Sequence, residues 1–257
     1  MALLTRPDGC RLYLEVSGDP NAPALLLLEG LGGDIPGWRR NIPTFATACH
    51  VIAYDHRGNG RSDDPPDAVD MSTFVEDAIA VLEDRDVDRA HVYGQSFGGM
   101  VALETALTHP SRVRTLILAA THAGSAHAVP VDGPTAPKGE PWRALYAPGF
   151  PDAHPEHVRD DLAGGAARGV QHKSGERRQW EAMQAWDAFE RLDQVSLPTL
   201  VLHGTEDQVI APENAKILAN GIPGAELHWL VGAGHLYHSE QADLADAAVL
   251  DFIARHP

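Results

Sequence analysis

Residues 90–93 form a short apolar run that passes directly into Gly94-Gln95-Ser96-Phe97-Gly98-Gly99 and then into a stretch of helix formers ending before Pro110. A strand can turn into a helix this abruptly only if the corner residue takes a strained backbone conformation and its neighbours lack side chains where chain segments pass close. A serine with glycines two positions to either side therefore predicts a strand-turn-helix unit with the Ser96 hydroxyl held clear of the sheet. The N–H of Phe97 opens the helix, where the peptide dipoles favour negative charge, so it faces the place where an oxyanion would form.

The same rhythm runs along most of the chain. Short apolar runs at residues 11–16, 24–28, 51–54, 90–93, 113–119, 199–203 and 226–230 alternate with amphipathic segments. Several are apolar throughout, as strands buried on both faces must be. The pattern predicts an α/β fold with a mostly parallel central sheet flanked by helices. Thr73-x-x-Glu76 reads as a capping box opening a helix, with further helices over residues 96–109, 212–220 and 241–254. Residues 122–194 break the rhythm. They begin with a Pro/Gly-rich stretch (Pro130, Gly133, Pro134, Pro137, Gly139, Pro141), and residues 176–192 are helix-like, with Trp180, Met183, Trp186 and Phe189. A structureless loop of that length is improbable, so short helices are expected. The organisation implied is one core, residues 1–121 and 195–257, carrying a lid insertion at 122–194 over the carboxyl edge of the sheet, where open α/β sheets bind ligands.

Composition narrows the partners. A formal charge of -16, from 20 Lys+Arg against 36 Asp+Glu, repels phosphate backbones and anionic membranes, and no basic cluster overrides it. Nucleic acid and membrane are not expected partners. Cys10 and Cys49 are too few and too far apart for a disulfide framework, and the 14 histidines are scattered without ligand spacing. No metal and no cofactor is implied. Residues 1–8 have no apolar signal region, so a cytoplasmic protein is expected, as monomer or homodimer.

A serine hydroxyl needs a base to become a nucleophile. The run 199–203 ends in Gly204-Thr205-Glu206-Asp207, and the run 226–230 is followed by Gly232-Ala233-Gly234-His235. In a parallel sheet both loops emerge at the edge that carries Ser96. Ser96 as nucleophile, His235 as base and Asp207 as the acid orienting it, in that chain order, form a Ser-Asp-His set. Glu206 competes for the acid position, and His238 is expected in the pocket or at the surface rather than as the base.

These residues resemble the α/β-hydrolase superfamily, and more narrowly the small bacterial esterases and 3-oxoadipate enol-lactonases, over residues 11–120 and 197–256. Asp55-His56-Arg57-Gly58-Asn59-Gly60-Arg61-Ser62 is similar to the family's D-x-R-G-x-G-x-S loop, which in relatives braces the active-site loops. By the same resemblance Leu31 supplies the second oxyanion N–H beside Phe97. One segment departs from the pattern, since relatives carry His-Gly where this chain has Glu29-Gly30. A carboxylate aimed at a developing oxyanion would oppose catalysis, so Glu29 must point away, be paired or be protonated, and of these a pair with Arg57 in the loop after the next strand is expected. The resemblance implies acyl transfer to water through an acyl-enzyme. Gly30, Trp142, Trp186 and Leu236 are candidate substrate contacts, the tryptophans suggesting a hydrophobic ester or lactone. Thioester, C–C bond or peroxyacid chemistry uses the same triad, and a ligand-binding sensor with an idle triad would carry the same motifs.

Overall fold

In the computed structural model, which describes residues 2–132, 136–166 and 173–257, all seven expected apolar runs become strands of one eight-stranded sheet. The strands are β1 (Ala2–Thr5), β2 (Arg11–Ser17), β3 (Ala24–Leu28), β4 (His50–Tyr54), β5 (Ala90–Gln95), β6 (Val113–Ala119), β7 (Thr199–Gly204) and β8 (Glu226–Leu230). They lie in the order β1-β2-β4-β3-β5-β6-β7-β8, with β1 and β2 antiparallel to their neighbours and the other pairs parallel. Strand β1 was not expected. Its four residues are only alternately half-buried, so they carry no long apolar signal, and the pairing with β2 creates the strand.

The helices are α1 (Ile42–Phe45), α2 (Met71–Asp84), α3 (Phe97–Thr108), α4 (Phe150–Ala153), α5 (Pro155–Ala166), α6 (Lys173–Ala185), α7 (Glu213–Gly221), α8 (Tyr237–Glu240) and α9 (Ala242–Ala254). Side chains along a strand alternate in direction, and each face of the sheet needs its own cover. Leu26, Leu28, Tyr54 and Val92 pack with residues of α2, α3 and α7, whereas Leu25, Leu27, Ala53 and Tyr93 pack with Trp38, Phe45 and the α9 residues Val249 and Phe252. Cys10 and Cys49 fall in these two separate cores as free thiols, each pushed up to about 11 by burial. Helix α2 starts earlier than the capping box implied. Asp70 is the cap, its carboxylate accepting the Thr73 N–H at 3.0 Å, so Thr73 stands inside the first turn.

Between β6 and β7 the chain forms α4, α5, α6 and two 3₁₀ turns, Pro141–Leu145 and Phe189–Gln194. The helical reading of 176–192 is split: α6 ends at Ala185 and the aromatic stretch continues as the second turn. Gly133 and Pro134 of the Pro/Gly-rich stretch lie outside the described residues. Arg178 and Ser174 on α6 both reach Asp64, in the segment that follows the loop after β4, and Gln179 accepts the Gly32 N–H at 3.0 Å. No helix among the described residues is long and apolar enough to cross a membrane.

Candidate active site

Strand order reverses direction between β3 and β5, so the loops leaving their carboxyl ends part and leave a crevice, the usual place for a ligand in such sheets. Ser96 sits at the tip of β5 with φ 53 and ψ -118, the strained corner expected of the strand-turn-helix unit. The strain is held by close packing. A Cβ on Gly98 would lie 2.1 Å from the Leu28 carbonyl oxygen, and one on Gly94 would lie 2.1 Å from that of Gly98. The Ser96 N–H donates to the Ala119 carbonyl at 2.8 Å, and the Thr121 hydroxyl donates to the Ser96 carbonyl at 2.7 Å. Phe97 is the first residue of α3, where a backbone N–H has no acceptor within its own helix.

Asp207, just past β7, and His235, in the loop after β8, are both buried and meet at 2.8 Å between Asp207 Oδ2 and His235 Nδ1. The other carboxylate oxygen, Oδ1, accepts the N–H groups of Val209 and Ile210 at 2.8 and 2.9 Å, and His203 Nε2 lies 3.2 Å from Oδ2. Burial alone would raise the Asp207 carboxyl, but His235 and His203 outweigh it and hold the group well below the usual carboxylate range. Glu206, its neighbour and competitor, is exposed.

Ser96 and His235 line one cavity of about 520 Å³ together with Gly30, Leu31 and Leu236. Leu145, Tyr146, Asp161 and Leu162 from the segment between β6 and β7 close its other side. The loop after β4 supports the floor. Buried Asp55 accepts the Ile35 N–H at 2.8 Å, and Asn59 donates to the Gly33 carbonyl at 2.8 Å, so the Asp55 to Ser62 motif holds the Gly30 loop.

Three sequence expectations are corrected. Glu29 does not pair with Arg57. Leu28 faces the α2 side of the sheet, so the residue after it points to the opposite side, and the Glu29 carboxylate lies against the main chain of Gly33 and Gly37 at the cavity wall. Arg57 points to the α2 side, where its Nε and Nη2 bind Asp77 at 2.6 and 2.8 Å and its Nη1 binds Asp8 at 2.9 Å. Trp186 is not at the cavity. Its indole N–H donates to Glu104 on α3 at 2.8 Å and its ring is buried in the core. Trp142 lines a separate groove with Arg143, Val158 and Leu162, edge-on to Tyr146.

The structure adds residues that no motif marks. The Gln95 amide Nε2 lies 3.3 Å from His235 Nε2. Asp161 is buried at the cavity wall, accepting from Tyr146 Oη at 3.0 Å and Ser239 Oγ at 2.6 Å and pairing with Arg39. Burial raises this carboxyl, yet the Ser239 hydroxyl and Arg39 more than offset it. Arg39 is the only arginine or lysine along the described cavity wall, and Asp160 also binds it, at 3.0 Å. Among the described residues no group of three or more His, Cys, Asp or Glu side chains could hold a metal ion.

Fold and sheet edge together define the class as an α/β hydrolase, and comparison with known proteins agrees. The profile for the α/β-hydrolase fold matches residues 23–175. A candidate carbamate hydrolase, RutD, of Variovorax paradoxus is 32% identical over 95% of this chain and 96% of its own length. The 3-oxoadipate enol-lactonase 2 of Acinetobacter baylyi is 30% identical, covering 90% of this chain and 89% of that protein. Among solved structures, a hydrolase from Pseudomonas aeruginosa superposes with a TM-score of 0.82 at 28% identity, over 98% of this chain and 97% of that one. The chain belongs to the α/β-hydrolase fold family.

Proposed function

We propose that the protein is a serine hydrolase that cleaves a carboxylic ester or lactone of an uncharged, largely hydrophobic small molecule through an acyl-enzyme on Ser96. The observation that carries this is the 2.8 Å contact between Asp207 and His235 Nδ1, with Ser96 on the same cavity. An ionised Asp207 accepting the Nδ1–H keeps the proton off Nε2, which the Gln95 amide approaches at 3.3 Å, so that nitrogen carries the lone pair a base needs. His235 Nε2 takes the Ser96 proton as the oxygen attacks the substrate carbonyl. The Leu31 and Phe97 N–H groups receive the oxyanion, and His235 returns the proton to the leaving oxygen. Water then repeats the sequence on the acyl-enzyme. Losing one such oxyanion donor costs ~10²–10³ in rate in comparable sites, so the Gly30 loop matters almost as much as the triad.

Two features support an uncharged substrate. Leu31, Leu145, Tyr146, Leu162, Val209 and Leu236 supply apolar wall, and Arg39 is already engaged by Asp160 and Asp161. In this reading residues 122–194 act as the lid, with Leu145, Tyr146 and Leu162 as its contribution to the pocket. The RutD relative brings carbamates into consideration, since the same attack on a carbamate ester releases an alcohol and leaves a carbamoyl group, in place of an acyl group, on Ser96 for water to remove. A fluorophosphonate probe tests the nucleophile, and a panel of neutral esters, lactones, carbamates and thioesters tests the leaving group. Labelling at Ser96 with fastest turnover of neutral esters or lactones is expected. Unlabelled wild-type protein would instead mark a binding protein with an idle triad, and fastest turnover of carbamates would replace the ester reading.

A further inference from the structure

We infer that Glu240 is a positioning residue for the reaction proposed above: its carboxylate fastens the main chain of the His235 loop to the main chain of the cavity wall at residues 145–147. The inference rests on that reading of His235 as the base, and on the following geometry. Glu240 ends the short helix α8, directly after the His235 loop. Its Oε1 accepts the N–H of Gly234 at 3.1 Å and the N–H of Ala147 at 3.1 Å, with Oε2 3.3 Å from the latter. One oxygen therefore satisfies a donor from each of two chain segments that are far apart in sequence. The segments touch directly, because a Cβ on Gly234 would lie 2.3 Å from the Ala147 nitrogen and 2.4 Å from the Tyr146 carbonyl carbon.

Two further links run beside it. The Leu236 N–H donates to the Leu145 carbonyl at 2.8 Å, and the Gln208 side chain, next to Asp207, donates to the Tyr146 carbonyl at 3.0 Å. Leu145 and Tyr146 form cavity wall, so this part of the segment between β6 and β7 is tied to the loops that carry His235 and Asp207. Glu240 supplies the link that touches the residue immediately before His235. A buried backbone N–H left without an acceptor is costly, so two such donors converging on one oxygen hold both strands of chain in place.

The carboxyl is pushed up to about 7 by burial, partly opposed by the Ala147 and Gly234 N–H groups, with Asp207 and Asp161 adding to the rise. Protonation does not undo the clamp, since a proton on Oε2 leaves Oε1 accepting both bonds. An amide in this place keeps the same accepting oxygen.

The test compares E240A, E240Q and E240D with wild type in ester turnover, in the rate of Ser96 phosphonylation, and in amide hydrogen exchange. All assays run well below every melting temperature. E240A is expected to lose at least tenfold in kcat and in phosphonylation rate with KM within threefold, because the base is misplaced while the apolar wall persists. Exchange should rise together at residues 145–147 and 233–236. E240Q should keep kcat within threefold of wild type. A folded E240A with kcat within twofold of wild type overturns the proposal, as does an E240Q that loses as much as E240A. If E240A does not fold, E240D decides, because its shorter side chain cannot reach both donors: a tenfold loss supports the clamp and wild-type kcat overturns it. Wild-type protein that neither labels nor turns over removes the hydrolase reading instead, and the exchange of the two segments then judges the clamp by itself.

Discussion

Asp207 is held by four contacts, and each has a job. Two main-chain N–H groups fix one oxygen, and two imidazoles share the other, so the carboxylate cannot rotate away from His235. Residues that act as a unit are strongly non-additive. Ser96→Ala and His235→Ala are each expected to lower kcat/KM by about 10³-fold or more, and the double variant to add little, in assays of the best ester of the panel. Near-wild-type turnover by Ser96→Ala would end the mechanism. At this scale the sequence named the three residues because each lies just beyond an apolar run, where a parallel sheet must gather them. It did not mark Gln95, Asp161 or Glu240, because a polar side chain looks the same in sequence whether it meets solvent or another segment.

Trp186 belongs to the scale of elements. The aromatic stretch after α6 reads as pocket lining when only its position over the sheet edge is considered, yet the ring packs against α3 and its N–H finds Glu104, which also binds Arg191 at 2.7 Å. Trp186→Ala is therefore expected to destabilise the fold by about 3–5 kcal/mol, as truncation of a buried aromatic does, and to leave the ranking of substrates unchanged. Melting temperature and the ester panel measured on one preparation separate this from a pocket role. Helix α2 offers a smaller test. Asp70→Ala should cost about 1 kcal/mol, the usual worth of such a cap, whereas Thr73→Val, which keeps the N–H that Asp70 accepts, should cost less. Aspartate and threonine both satisfy the start signal three residues apart, and only the extended backbone at Asp70 selects between them.

Across the whole molecule, the two faces of the sheet act as separate electrostatic compartments. Arg57 and Asp77 are buried together on the α2 side and Glu29 lies on the other, so a Glu29/Arg57 double-mutant cycle should be additive within about 0.5 kcal/mol. Asp77→Ala should instead cost about 3–5 kcal/mol by leaving Arg57 without its main partner. Asp246, buried on the α9 side, is raised from 3.8 to about 6 by burial, with Asn41 opposing. The unfolded chain then releases this proton before the folded one does, so stability is lost as pH rises from about 4 to 6. Asp246→Asn should raise the melting temperature at pH 7 more than at pH 4, and an equal shift at both would show that the charge is not the cause. Seven of the eight strands, the strained serine and the loops bearing Asp207 and His235 were legible in the sequence, because periodicity, glycine placement and strand ends are local properties, whereas the order of the strands in the sheet was not. What the Glu29 and Arg57 side chains meet, where Trp186 goes and what holds the His235 loop to the cavity wall were decided only by tertiary structure. Each depends on which face of a strand a residue occupies and which distant segment is packed against it, and neither is set by the residues beside it in the chain.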